Sequence, residues 1–272
     1  MAWNDGWAPK KGDLAPRLMS AAFLIPFGLY VVYAGGLLLA LGCAFFAAVM
    51  AYEWVRMSRS PNMVVFAGLA GLPVMLGYFF GLAAGIGALV IAALISGVLH
   101  PLKERRTMQI YGFAYVAGMP LALMLLREGP WAGALTALIF MGIVWGSDSA
   151  AYFSGRGFGG PSLHPDSPSK TWSGAIGAVI FSTMCGALAA QITGGNFAVW
   201  LIVGGLISVV AQLGDLFESS LKRFYKIKDS SGLVPGHGGL LDRVDGLGFV
   251  CVVAVIIFML SPPLINALGL AA

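Results

Sequence analysis

Long apolar stretches, broken by short polar ones, fill most of this chain. A membrane-spanning helix needs about 20 apolar residues, with a range of roughly 17–25. On that measure the pattern predicts nine helices, near residues 18–34, 36–55, 63–80, 82–100, 109–126, 131–152, 174–193, 197–217 and 246–266. Two neighbouring pairs run almost together, and Gly35-Gly36 and Gly81 are the expected turns between them. The expected architecture is an all-α polytopic integral membrane protein of about nine transmembrane helices. Residues 1–272 read as a single membrane domain, opening with a polar segment over 1–17 and interrupted by two long polar loops, 153–173 and 218–245. The polar start is too long for a cleavable signal peptide, and the pattern shows no internal repeat.

Charge tests the helix count. With nine crossings and a cytoplasmic N-terminus, Lys10, Lys11, Arg17, Arg56, Arg59, Lys103, Arg105, Arg106, Arg156, Lys170, Lys222, Arg223, Lys226, Lys228 and Arg243 all fall inside. Only Arg127 falls outside, so fifteen of the sixteen Lys and Arg share one side, as the positive-inside rule requires. An error of one crossing would scramble this partition. The C-terminus is then expected on the periplasmic side.

Composition agrees. Hydrophobic residues make up 58% of the 272 and charged ones only 10%, against about 25% charged in soluble domains. The mean hydropathy is +0.86. A soluble enzyme with one anchor is excluded. The net charge of +4 reports loop bias rather than nucleic-acid binding. Cys43, Cys185 and Cys251 each sit in an apolar run, with neither a CxxC spacing nor a nearby His; they read as small buried hydrophobes.

Against this hydrocarbon background one polar cluster stands out. Asp215, Glu218, Ser219 and Lys222 are spaced to line one face of a helix at the inner end of the eighth apolar run, with Arg223 one step round. Asp242 and Asp245 are three apart, at the start of the ninth, where a helix dipole favours acids. Between them lie Lys228, Asp229, Gly232, Pro235, Gly236, His237, Gly238 and Gly239. Ionisable groups at membrane depth are expensive and mark working sites. Carboxylates from two helices suit a hard cation such as Mg²⁺, and Lys222, Arg223, Lys228 and Arg243 suit polyphosphate oxygens. That mixture is a kit for phosphoryl or nucleotidyl transfer, placed where lipid meets water. Basic residues in an inside loop can also be plain topology signals, and that reading suffices for Arg56, Arg59, Lys103, Arg105 and Arg106.

A second polar segment, Ser167-Pro168-Ser169-Lys170-Thr171-Trp172, opens the seventh helix on the same side. Lys170 and Thr171 could reach a phosphate there; a simple helix cap is the alternative. Asp148 is expected to pair with Lys170 or to complete the polar cavity. Glu53, nearer its interface, is expected to pair with a base, and Arg127 with Glu128 to be structural. His237 reads as a phosphate contact or loop-shaping residue rather than a general base, because a phosphate nucleophile is already ionised.

The run from Ser219 through Leu221, Lys222, Arg223, Lys228, Asp229 and Ser231 to His237-Gly238-Gly239-Leu240, Asp242, Arg243, Val244 and Asp245 resembles the signature of the phosphatidate cytidylyltransferase, or CDP-diacylglycerol synthase, family. The Ser167–Trp172 segment and the stretch with Asp148 and Tyr152 are also similar to that family, with Ser169 where a lysine is usual. The resemblance implies a multi-span inner-membrane enzyme that condenses CTP with phosphatidic acid, yielding CDP-diacylglycerol and pyrophosphate. It implies Mg²⁺, with a second cation such as K⁺. It makes Asp215, Asp242 and Asp245 the metal ligands, and places Ser219, Lys222 and Arg223 in the substrate-contacting part. Lys170, Thr171, Asp148, Lys228, Asp229, His237, Gly238, Gly239 and Arg243 would bind substrate. CTP, phosphatidic acid and membrane lipid are the expected partners, with a homodimer left open. Two other readings stay open: a membrane CTP-dependent lipid kinase, and a cation transporter using Asp148 and Asp215 as relay sites.

Overall fold

The computed structural model describes residues 14–60, 63–131, 133–233 and 238–271. Each of the nine predicted apolar segments is a helix there: α1 (Leu14–Ala34), α2 (Gly36–Ser58), α3 (Met63–Phe80), α4 (Leu82–Leu99), α5 (Arg106–Glu128), α6 (Gly133–Phe158), α7 (Trp172–Thr193), α8 (Phe197–Phe224) and α9 (Leu241–Leu260). A short α10 (Pro262–Ala267) follows. Among the described residues seven of these helices are long and apolar enough to cross a membrane.

The turns fall at the predicted glycines. Gly35, Gly36 and Gly81 have φ of 66°, 59° and 86°, values that only glycine adopts without strain. The α1–α2 turn is bracketed by charge. Arg127 donates to the carbonyls of Val32 and Tyr33 at the end of α1, at 2.9 and 3.1 Å. Glu128 accepts the Gly36 N–H at the start of α2, at 2.7 Å. A cation on a helix C-terminus and an anion on an N-terminus both oppose the helix dipole, so this pair is structural, as expected.

Helices α2 to α5 pack as one group and α6 to α8 as another, and α9 lies against both α5 and α8. Helix α5 is the most enclosed, with 72% of its apolar window buried. At its polar end Gly112 sits under the Trp54 indole, where any side chain would overlap the ring. Trp54 donates to Gln109 Oε1 at 3.1 Å, which satisfies the indole N–H and that amide oxygen inside the core.

Two of the polar stretches are more ordered than a loop. Helix α6 continues to Phe158 and α8 to Phe224, because a helix keeps its backbone hydrogen bonds after its side chains turn polar. At 1.5 Å per residue α8 is about 42 Å long, longer than a hydrocarbon core of about 30 Å. Its polar C-terminal turns therefore overhang the apolar zone. Between α6 and α7 lies an antiparallel hairpin, β1 (Ser162–His164) and β2 (Ser167–Thr171), with Ser162 opposite Thr171 and His164 opposite Ser167. The pattern of apolar positions gave no sign of it.

Candidate active site

The end of α8 carries the predicted face. Lys222 Nζ lies 2.6 Å from Glu218 Oε2, one turn back, and 3.0 Å from Asp242 Oδ1 on α9. All three are largely withdrawn from solvent, Glu218 most of all at 2% exposed. A buried lysine between two carboxylates is a latch between α8 and α9 more than an open anion receptor. Arg223 donates to the Ile227 carbonyl at 3.0 Å and so shapes the turn after α8. Ser219 is half-buried on α8, while Lys228 and Asp229 are exposed on the loop and Arg243 on α9.

Asp242 organises that loop. Its carboxylate accepts the Ser230 N–H at 3.1 Å and the Gly239 N–H at 2.9 Å, besides the Lys222 ammonium. Reaching back one turn to an N–H ahead of its own helix, it behaves as a capping residue of α9. Gly238 has φ 86°, and a Cβ there would stand 2.9 Å from Asp242 Oδ2. Among the predicted site residues His237 alone lies outside the described ones.

Lys170 and Asp215 are brought together from 45 residues apart. The hairpin turns the lysine onto α8, and Nζ sits 2.5 Å from Asp215 Oδ2. The hairpin itself is pinned at its tip, where Ser220 donates to Asp166 at 2.8 Å. Its other end is fixed by Thr171, which caps α7 by accepting the Gly174 N–H at 3.2 Å; the simple cap is therefore what the Thr171 hydroxyl does. Asp148 on α6 and Asp245 on α9 both lie within electrostatic reach of Asp215 and of Lys170. So Lys170 pairs with Asp215, with Asp148 near, Lys222 pairs with Glu218 and Asp242, and Asp245 lies within electrostatic reach of both lysines.

Tyr115 of α5 closes this region. Its ring packs edge-on against Phe217 at 5.2 Å between centroids, and it lies within electrostatic reach of Asp245, Glu218 and Asp215. The Tyr115 hydroxyl and Glu218 Oε1 are both buried, and neither has a hydrogen-bond partner among the described residues. Unpaired buried polar atoms cost free energy and are explained where a bound ion, water or substrate completes them.

Glu53 is the residue that the sequence reading misjudged. No base faces it. Fully buried on α2, it accepts from Ser230 Oγ at 3.3 Å, Ser231 Oγ at 2.5 Å, Leu240 N at 2.8 Å and Leu241 N at 2.8 Å. Two of those donors are the orphan N–H groups that open α9, so a carboxylate from another helix caps it. The only signal in the sequence was an acid within an apolar helix; its partners lie 177 to 188 residues away.

The residues fit a divalent cation in charge. Asp215 pairs with Lys170, and Asp148 and Asp245 lie within electrostatic reach of Asp215, so acidic side chains outnumber the lysine in direct contact with them. No three acidic, His or Cys side chains are already assembled to hold a metal among the described residues. Mg²⁺ does not need such a cage, since it commonly takes one or two carboxylates together with substrate phosphates and waters. The site-bearing helices α6, α8 and α9 are unbroken, unlike the interrupted helices around transporter sites.

An all-α membrane protein with its acids, lysines and glycine loop gathered at one set of helix ends is a membrane-embedded enzyme in design. The comparison with known families says which kind: the chain belongs to the cytidylyltransferase family, whose model matches residues 15–261. It is thus a nucleotidyltransferase. It is 37% identical over 243 residues to a phosphatidate cytidylyltransferase of Brucella suis, covering 86% of this chain and 89% of that one. The corresponding protein of Pseudomonas aeruginosa is 34% identical over 260 residues, covering 86% and 93%. That of Bacillus subtilis is 30% identical over 257 residues, covering 88% and 95%.

Proposed function

We propose that this protein is a phosphatidate cytidylyltransferase, which joins CTP to phosphatidic acid and releases pyrophosphate, giving CDP-diacylglycerol. The observation that carries the reading is the meeting of Lys170 with Asp215, beside Asp148 and Asp245, where α6, α8 and α9 all turn polar. The relatives named for this activity, alike over most of their length, support the choice of substrates.

In the reaction an oxygen of the phosphatidate phosphate attacks the α-phosphorus of CTP. A new P–O bond forms as the bond to the β-phosphate breaks, and pyrophosphate leaves with that electron pair. The nucleophile is already ionised, so no strong base is required of His237. Lys170 and the exposed Lys228 and Arg243 offer positive charge to the phosphates, while Gly238 and Gly239 let the backbone come close. Asp215 with Asp245 would hold Mg²⁺, which would neutralise charge on the polyphosphate oxygens; Asp242, expected from the sequence as a third ligand, is instead taken up by Lys222 and the Ser230 and Gly239 N–H groups. A monovalent cation such as K⁺ belongs to the same proposal.

The topology proposed is nine crossings of the bacterial inner membrane, with the N-terminus and the site on the cytoplasmic side and the C-terminus in the periplasm. The one-sided distribution of Lys and Arg supports it. In that setting the acyl chains stay in the lipid while a soluble nucleotide is brought to the headgroup.

The test is an assay of purified protein with CTP, Mg²⁺ and phosphatidate. CDP-diacylglycerol and pyrophosphate are the expected products. A phosphorylated lipid with free CDP would indicate a kinase and overturn the reading. Asp215→Asn should abolish turnover with little effect on abundance.

A further inference from the structure

Lys170 and Lys222 each neutralise carboxylates, but in different ways. Lys222 is enclosed at 14% exposed, with two acid partners fixed on two helices. Lys170 is 32% exposed and has one direct acid partner among the described residues, Asp215 Oδ2. Its backbone is held at both ends of the hairpin, by Asp166 with Ser220 and by the Thr171 cap. Its four-carbon stem is the part left to move. An ammonium on such a stem is a point charge with rotatable donors, able to swing between partners without moving the chain.

We propose that Lys170 is a resident cation of the acidic centre, displaced from Asp215 when a divalent ion enters, and that it then turns to the substrate phosphate. The inference rests on the metal reading above. Asp148 and Asp245 each lie within repelling reach of Asp215, and the Lys170 ammonium on Asp215 relieves that repulsion until a divalent ion enters. A divalent ion carries twice the charge and needs the same Asp215 oxygen, so the two cations compete for it. The displaced ammonium stays beside the place where polyphosphate arrives. Anything anionic that draws Lys170 away frees Asp215 for the metal, and by reciprocity the metal frees Lys170 for the anion. Lys170 thus makes metal and nucleotide bind better together than apart. It weakens metal binding to the free enzyme, which distinguishes it from a lysine that only grips phosphate.

The experiment titrates Mn²⁺ as the probe into purified protein in detergent micelles, counting free Mn²⁺ by its EPR signal, with no phosphatidate and hence no turnover. Wild type, Lys170→Gln, Lys170→Met, Lys170→Arg and Asp215→Asn are compared, each without and with CTP. Both neutral variants should bind Mn²⁺ at least about threefold more tightly than wild type, the change expected for losing one partly exposed ion pair. Lys170→Arg should stay near wild type, and Asp215→Asn should bind more weakly. CTP should tighten Mn²⁺ binding in wild type and do so less in the neutral variants. If Lys170→Gln and Lys170→Met bind no tighter than wild type while Asp215→Asn is weakened, the exchange is wrong and the metal site stands. If Asp215→Asn binds as wild type does, or if no form binds Mn²⁺, the metal reading fails and takes the exchange with it.

Discussion

Glu53 Oε2 accepts the Leu241 N–H at 2.8 Å across 188 residues of chain. That bond ties α2, in the first helical group, to the first residue of α9. Through Ser230, Ser231 and Leu240 the same carboxylate also holds the loop that Asp242 organises from the other side. The loop is therefore clamped between two acids, neither of which needs to touch a substrate to matter.

Glu53→Gln should weaken that clamp. The amide keeps one acceptor oxygen and turns a donor toward N–H groups that are themselves donors. Hydrogen bonds to a charged group are worth about 1.5–3 kcal/mol each, so a loss of about 2 kcal/mol is expected. A thermal melt in micelles should fall, and turnover should fall further than the melt explains. An unchanged melt and unchanged kcat would remove Glu53 from the account.

Gly239→Ala tests the fit of the loop directly. A Cβ there would overlap Ser230 Oγ and stand 2.7 Å from Glu53 Oε1. The crowding is local, so the helices should form and the protein should extract normally. Turnover should drop more than about tenfold, since small displacements of positioned groups carry large rate costs. Normal activity would show that the loop repacks freely.

The latch at Lys222 predicts an order among variants. Lys222→Met strands two buried carboxylates and should destabilise by about 3 kcal/mol. Adding Glu218→Gln removes one of those stranded charges, so the double variant should melt higher than Lys222→Met alone. A double variant that melts lower would mean the pair does not interact as described.

Arg127 and Glu128 lie at the other end of α5, twelve residues or about 18 Å along the helix from Tyr115. Arg127→Gln should cost about 0.5 kcal/mol of stability through its helix-end contacts. Its kcat and KM should match wild type. A change in kcat with an unshifted melt would point to coupling between the two ends.

The helices were legible because lipid imposes a simple length and hydropathy rule on them, and glycine marked turns that need left-handed backbone at Gly35, Gly36 and Gly81. The acids of α8 and α9 were legible from spacing alone. Helix ends were less so: apolarity stops at residue 217 while the α8 hydrogen bonds run on to Phe224. Lys222 looked like a phosphate ligand until its two carboxylate partners were seen, since sequence spacing says nothing about contacts between helices. The Lys170–Asp215 contact, the hairpin that makes it and the role of Glu53 all depend on long-range packing, which no local pattern encodes.

The overhang of α8 has a further bearing. The height of Asp215, Glu218 and Lys222 above the hydrocarbon is set by how much of a 28-residue helix the bilayer covers. Longer acyl chains would draw those groups down toward the headgroups, and shorter ones would lift them clear, at a modest cost per ångström of mismatch. Membrane thickness thus becomes a physical control on how readily a lipid phosphate reaches the acids, so the rate should rise and fall with the chain length of the surrounding lipid.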